Sequence, residues 1–165
     1  MKKGQTWMTD FFFGTALFAI MLFIALNVIF NLEFSSSFDD LRKDANYAAS
    51  ILLSQGYPFD WDENNVAVPG LTTNNRLDHN KLESFNNLDY TTQKFLLLLN
   101  ADFLLTFKSD GDYLNLTSCS FGHPINHDSD CNFDLSLFDY DNLVLVNRLV
   151  LNGSNMVEMV LYVWE

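Results

Sequence analysis

The stretch that decides the fold is residues 11–30, which read FFFGTALFAIMLFIALNVIF and contain no charged side chain. Thirteen of these twenty residues are Phe, Leu, Ile or Val. At about −0.3 to −0.6 kcal/mol each, they favour membrane insertion by about 4 to 8 kcal/mol in total. Twenty helical residues span about 30 Å, the thickness of a bilayer's hydrocarbon core. The sequence therefore predicts a transmembrane helix over residues 11–30 rather than a buried core helix.

The flanks of this segment predict its orientation. Lys2 and Lys3 lie on the short N-terminal side, and basic flanks stay in the cytoplasm. From Phe11 onward, seven of the nine basic residues and 20 of the 21 acidic residues remain, which gives a net charge of −13. We therefore expect a single-pass membrane protein with a cytoplasmic N-terminus and an acidic extracellular head. Because such a surface repels phosphate groups, nucleic acid is not an expected partner.

A cleaved secretory signal is the competing interpretation of the apolar segment. The apolar region of such a signal usually has about 7–15 residues, with small residues at the cleavage site. Here the apolar run is longer, and Ala25-Leu26-Asn27 is a poor site for cleavage. The sequence therefore favours an anchor that stays in the mature protein.

The first ten residues, MKKGQTWMTD, place two lysines, a glycine and a glutamine directly before the apolar run. This arrangement resembles the class III leader of archaeal type IV pilins and related proteins. The resemblance implies that a prepilin peptidase cuts between Gly4 and Gln5 on the cytoplasmic side and leaves the apolar helix in place. A glycine suits such a site because backbone without a side chain fits closely into a protease cleft.

The leader also departs from the pilin pattern. Many bacterial pilins have a glutamate at the fifth mature position, whereas this chain has Thr9 there and an acid one residue later, Asp10. By analogy, Asp10 could contact the free amino terminus of a neighbouring subunit during assembly. Alternatively, Asp10 is an acid near a helix N-terminus, where the helix dipole favours it.

A helical pattern continues beyond the apolar segment. Apolar residues recur at alternating steps of four and three, which is typical of an amphipathic helix: Phe34, Phe38, Leu41, Ala45, Ala48 and Leu52. Gly56-Tyr57-Pro58 is a helix-stop signal. The sequence therefore predicts one helix from near Thr6 to Gln55, about 75 Å long. This is a second feature similar to pilins, where the first half of the helix packs in the filament and the second half packs on the head.

The remaining residues predict the head. Residues 57–87 read as turns with short strands such as 66–68, and a helix is expected over residues 91–100, with Asp89 as its cap and residues 95–99 buried. Two hairpins are expected, one joining residues 102–108 to 113–117 through Asp110-Gly111, the other joining 143–151 to 156–164. The predicted fold class is α+β, with a long N-terminal helix on a mostly antiparallel sheet of about four strands.

The predicted domain boundaries follow from these elements: a leader at residues 1–4, a helix at 5–55 and an extracellular head at 56–165. Residues 52–107 also look like the heads of uncharacterised archaeal proteins that carry the same leader. That similarity supports the architecture and implies no activity.

Cys119 and Cys131 allow three interpretations. Outside the cell, a disulfide would restrict the unfolded chain and stabilise the fold by about 3 kcal/mol. The even spacing of Cys119, His123, His127 and Cys131 also suits tetrahedral zinc, although Pro124 interrupts any helix that would present them. The third interpretation is that the cysteines do neither. A calcium site at Asp128, Asp130 and Asp134 lacks the glycine and glutamate of known loops, so a solvated acidic loop is favoured.

Other sequence patterns indicate modification rather than catalysis. Asn115-Leu116-Thr117 and Asn152-Gly153-Ser154 match the acceptor pattern for N-glycosylation, although such triplets also arise by chance in an Asn-rich chain. No nucleophile motif, phosphate-binding glycine loop or basic groove is present in the sequence. His79 reads as a lone surface residue. The sequence therefore predicts neither an enzyme nor a cofactor.

Two functions fit these features. The first is a type IV pilin-like structural subunit of an archaeal surface filament. This class includes minor pilins and pseudopilins. The resemblance implies its partners: other pilin subunits, the prepilin peptidase, and the assembly platform with its ATPase, together with membrane lipid. The second is a permanently anchored surface protein whose head binds a ligand or partner.

Overall fold

The structure is a computed structural model that describes residues 3–125, 131–134 and 138–165; within residues 3–36 it describes the side chains of Met8, Asp10 and residues 11–28. The fold is α+β and divides into two compact units, Met1–Asp39 and Asp40–Glu165. Three helices are described: α1 (Lys3–Leu52), α2 (His79–Asn87) and α3 (Tyr90–Leu96). The strands described are β1 (Thr72–Thr73), β2 (Arg76–Leu77), β3 (Asp102–Ser109), β4 (Asp112–Tyr113), β5 (Phe121–Gly122), β6 (Leu143–Asn152) and β7 (Asn155–Trp164).

The C-terminal end of α1 is held by the segment that leads into β1. The helix ends at Leu52, three residues before the predicted boundary, and Gly56 follows with a φ of 75°. The backbone N–H of Leu71 donates to the carbonyl of Leu52, and the Thr72 hydroxyl donates to the carbonyl of Leu53. Carbonyls at a helix end have no partner inside the helix, so these contacts fix where the head begins.

The sheet is built around β7, the last strand of the chain. β7 pairs antiparallel with β6 on one side, from Leu143↔Trp164 to Asn152↔Asn155, and with β3 on the other. The strand order is β1-β2-β6-β7-β3-β4, with β5 also paired to β3. A single parallel pair, Arg76↔Leu151, joins β2 to β6 among the described residues. The two predicted hairpins and the mostly antiparallel sheet are confirmed, but the described residues contribute seven strands to the sheet, not about four.

Several local predictions for the head were wrong. The structure has helix α2 where turns were expected, and Val68 forms only an isolated bridge with Tyr57 in place of a strand. The second arm of the first hairpin shortens to the two residues of β4. Helix α3 has the predicted cap, since the Asp89 carboxylate accepts from the N–H of Thr92, but it ends at Leu96.

The core of the second unit lies between α1 and the inner face of the sheet. Four residues of the predicted α1 stripe are buried in this core: Leu41, Ala45, Ala48 and Leu52. Phe38 is exposed, and the side chain of Phe34 lies outside the described part of the chain. The sheet contributes alternate residues of its long strands, as expected for a strand with one buried face: Phe103, Leu105, Phe107, Val146 and Leu161 among others. A smaller cluster covers part of the other face, where Trp164 and Tyr162 pack against Phe133 and Phe138.

Candidate membrane and assembly segment

The most unusual surface of the described chain is the apolar part of α1, Asp10–Val28. This 19-residue segment has a mean hydropathy of 2.3, and none of it is buried. A core helix of similar composition in a soluble protein would be mostly buried, because exposed apolar area is unfavourable in water. By length and composition this helix near the N-terminus is able to cross a membrane.

The polar side chains inside this segment hydrogen-bond to its own backbone. Thr15 Oγ1 donates to the carbonyl of Phe11 and Asn27 Nδ2 donates to the carbonyl of Phe23, both at 2.8 Å. Donors without partners are costly in hydrocarbon, so these contacts lower the cost of placing the segment in lipid. The same contacts suit packing against other apolar helices.

The predicted leader residues lie at the start of the same helix. Gly4 and Gln5 are in its first turns, and the side chain of Gln5 lies outside the described part of the chain. The side chain of Asp10 is exposed where the apolar segment begins. The structure brings no second group to Asp10 within the described residues, which leaves both interpretations of this acid open.

Cys119 and Cys131 form a disulfide, in agreement with the first interpretation of these residues. In this oxidised form neither sulfur is the thiolate that zinc requires. His123, a proposed ligand, has its ring 5.4 Å from Trp164 and 5.6 Å from Phe138. His127 lies outside the described residues, as do Asp128 and Asp130. Within the described ranges, no group of three His, Cys, Asp or Glu side chains is arranged to hold a metal ion.

The two glycosylation candidates differ in their surroundings. Asn115 is exposed in the loop after β4. Asn152 ends β6, and its side-chain oxygen lies 3.0 Å from Nε2 of His79. His79 is thus on the surface, as predicted, and is linked to the second hairpin. Modification is sterically simpler at Asn115, whose side chain faces solvent.

The chain matches no protein-family model, no curated protein and no solved structure.

A compact polar cluster in the head joins α3 to β3. Lys94 Nζ and the Tyr90 hydroxyl both donate to Oδ1 of Asp102, at 2.8 and 2.7 Å. Burial raises the pKa of Asp102, but the bonds from Lys94 and Tyr90 outweigh it and the net pKa is lowered. Burial, followed by the bond to Asp102, raises the pKa of Tyr90. These groups stabilise one another, which indicates a structural role for the cluster.

Next to this cluster lies an open groove of about 600 Å³ at the end of α3. Two apolar side chains on its rim, Phe95 and Leu98, are 75% and 62% exposed. The prediction that residues 95–99 are uniformly buried was therefore wrong, and only Leu97 and Leu99 face the core. Leu98 ends the helical path because its φ is 57°, a left-handed conformation.

Lys81, a buried cation in α2, was not among the predicted site residues. Its side chain is 5% exposed and donates to the carbonyl of Gln55 at 2.7 Å, just beyond the end of α1. A local signal for helix α2 itself was present, namely the N-cap Asp78 followed by Leu82 and Phe85 at a helical spacing of three, but it does not mark Lys81 for burial. Such a pattern predicts a short amphipathic helix.

Proposed function

We propose that this protein is a type IV pilin-like structural subunit of an archaeal cell-surface filament, which assembles through its apolar N-terminal helix. One observation carries the proposal: no residue of the apolar part of α1, Asp10–Val28, is buried, and this segment begins five residues after Gln5 of the MKKGQ leader. A leader of this kind, in the family it resembles, precedes a helix that is kept after cleavage.

The physical argument concerns what covers the exposed apolar side chains. Phe11, Phe12, Phe13, Phe18 and Phe23 are each more than half exposed. In water this surface would be strongly unfavourable, whereas lipid or a neighbouring helix of the same composition covers it. Filament assembly then exchanges lipid contacts for helix-to-helix packing, with the backbone donors of the segment already satisfied.

Two further features support an extracellular head. Lys2 and Lys3 favour a cytoplasmic N-terminus. The disulfide between Cys119 and Cys131 suits an oxidising compartment outside the cytoplasm. The proposed partners are sister pilins, the prepilin peptidase and the assembly platform with its ATPase.

Cleavage of the leader is the first test. We would express the full chain in an archaeon that carries a type IV pilus system and determine the mass of its N-terminal peptide. The wild-type chain is expected to begin at Gln5, and a Gly4→Phe variant to keep its leader. A matched control is Gly14→Phe, since Gly14 has open space around it and this variant should still be cleaved. An uncleaved, membrane-bound wild-type chain would favour the permanently anchored surface protein instead.

Assembly is the second test. Electron microscopy of sheared surface filaments, with a label on the head, should show the processed chain in filaments. If Asp10 contacts a neighbour's amino terminus, Asp10→Ala should reduce filament yield while cleavage continues. Asp39→Ala is the control, since Asp39 is an exposed acid of the same helix outside the apolar segment. Cleaved chain that is found only as membrane-bound monomers would contradict the proposal.

A further inference from the structure

Most of one side of β6 has no partner strand in the described part of the chain. β6 pairs with β7 over all ten of its residues. On its other side, β2 meets it at Leu151 alone. Residues 143–150 therefore present an open strand edge about eight residues long. Such edges pair readily with another strand, and proteins usually protect them with charges, prolines or bulges.

The turn of the hairpin decides which backbone groups point outward. Gly153-Ser154 is a two-residue connection, so Asn152 and Asn155 form a hydrogen-bonded pair. Hydrogen-bonded and non-bonded pairs alternate along the ladder, so Leu145, Asn147 and Leu149 direct their N–H and C=O groups away from β7. In agreement, the Asn147 carbonyl accepts a bond from the Arg148 guanidinium at 3.1 Å.

The side chains along this edge are apolar and exposed. Leu145 and Leu149 are 51% and 67% exposed and lie on the same face as Asn147. β6 contains no acidic residue, although the whole chain has a net charge of −12. Its one charged residue, Arg148, belongs to the opposite face and donates to Oδ1 of Asn46 at 2.8 Å. This edge is therefore a place where two copies of an acidic protein can approach without acid-to-acid repulsion.

The sequence of β6 is nearly the same in both directions. Residues 143–151 read LVLVNRLVL, so leucines stand at equal distances on each side of Asn147, as do the valines at 144 and 150. Two such strands that run antiparallel about a twofold axis at Asn147 would pair Leu145 with Leu149 of the other copy. The two Asn147 side chains would face each other. Cross-strand pairs of like apolar residues stabilise a sheet.

We propose that β6 binds β6 of a second copy, edge to edge and antiparallel, with the twofold axis at Asn147. Three hydrogen-bonded residue pairs would form, with the N–H of the second copy's Asn147 replacing the Arg148 guanidinium at the Asn147 carbonyl, and the two sheets would join into one. β2 limits the contact, since it occupies the edge at Leu151. A shift by one residue would turn the leucines of one strand to the other face. A shift by two would set Asn147 opposite a leucine, so the palindrome selects one register.

Cysteine cross-linking of the full chain in detergent tests the register. In an antiparallel hydrogen-bonded pair the Cα atoms are about 5.5 Å apart, within the range that a disulfide spans. Asn147→Cys should therefore cross-link to itself under mild oxidation. Leu149→Cys alone should not, whereas a mixture of Leu145→Cys and Leu149→Cys chains should. Equal cross-linking of Asn147→Cys and Leu149→Cys would overturn the proposed axis.

A second measurement tests the edge without introducing cysteine. Asn147→Pro removes an outward N–H and should be tolerated in a monomer, since proline is accepted on edge strands. We expect the dimer dissociation constant of this variant, measured by light scattering, to be about tenfold higher than that of the wild type or more. Its circular dichroism spectrum should stay that of the wild type. Asn147→Ala, which keeps the N–H, is the control and should still dimerise.

The outcomes separate this inference from the proposed filament subunit. All measurements use the unprocessed chain, so they do not depend on cleavage at Gly4. A folded wild-type chain that is monomeric at high concentration would overturn the β6 pairing and leave the filament proposal intact. A dimer that survives Asn147→Pro would be held by another surface, such as the apolar helix, and would equally overturn it.

Discussion

Lys81 donates a hydrogen bond from Nζ to the backbone oxygen of Gln55 at 2.7 Å, across 26 residues of sequence. The same ammonium group lies 3.3 Å from the carbonyl of Thr72 and 4.9 Å from the ring centre of Phe59. A cation is favoured where the carbonyls of a helix end converge. Desolvation is the main cause that lowers the pKa of Lys81, with Asp78 acting in the opposite direction. This one side chain ties α2 to the chain just beyond α1.

Lys81→Met should destabilise the head by about 1–3 kcal/mol, because it leaves buried carbonyls without a donor while keeping a similar volume. The measurement is the urea midpoint of the detergent-solubilised protein, followed by tryptophan fluorescence. Lys43→Met is the matched control. Lys43 forms an exposed ion pair with Asp40, and its loss should cost less than about 1 kcal/mol. Equal effects of the two variants would contradict the structural role of Lys81.

Leu98→Gly should stabilise the head by about 0.5–1 kcal/mol. Leu98 has a φ of 57° directly after the cap of α3, and the N–H of Leu99 donates to the carbonyl of Lys94 there. Glycine is the residue usually found at this position of a helix end, since a side chain is strained in the left-handed region. Leu98→Ala, which removes the exposed side chain but keeps the strain, should show no such gain in a thermal melt.

Loss of the disulfide should lower stability by about 3 kcal/mol, because Cys119 and Cys131 are 12 residues apart and the bridge closes a short loop of the unfolded chain. The double variant Cys119→Ser with Cys131→Ser should melt at a lower temperature than the wild type. A reductant should lower the melting temperature of the wild type alone. A wild-type melting temperature that does not respond to reductant would contradict this prediction.

The cluster at Asp102 predicts a loss of stability in acid. Its pKa is lowered in the folded state, so the unfolded chain takes up a proton first as pH falls below the ordinary value of about 3.9. The stabilisation is therefore complete above that pH and is lost as pH falls through the folded pKa. The contribution is modest because the Asp102 side chain is 41% exposed.

Unfolding midpoints from about pH 6 down to about pH 2 test this. The unfolding midpoint of Asp102→Asn should fall less steeply with decreasing pH than that of the wild type. Lys94→Met should show an intermediate slope, because Lys94 is one of two donors to this carboxylate. Asp89 also contributes stability that is lost as pH falls, because hydrogen bonds from Thr91 and Thr92 lower its pKa to about 2. Identical slopes for wild type and Asp102→Asn would contradict the assignment.

The sequence by itself determined the features that depend on neighbouring residues. The apolar helix follows from residues 11–30 alone, because no charged residue interrupts them. Both hairpins follow from short turns: Asp110-Gly111 and Gly153 take positive φ values in the structure, as their residue types predict. The buried stripe of α1 from Leu41 to Leu52 follows from its period.

Tertiary structure alone decided the features that depend on residues far apart in the chain. Lys81 is buried because the carbonyls of Gln55 and Thr72 converge on it, and no local pattern marks a lysine for burial. Phe95 is exposed although its neighbours predicted a buried helix, since Leu97 and Leu99 already fill the core side. The open edge of β6 exists because β2 is only two residues long. Periodicity predicts which side chains share a face, whereas three-dimensional packing determines what covers that face and that edge.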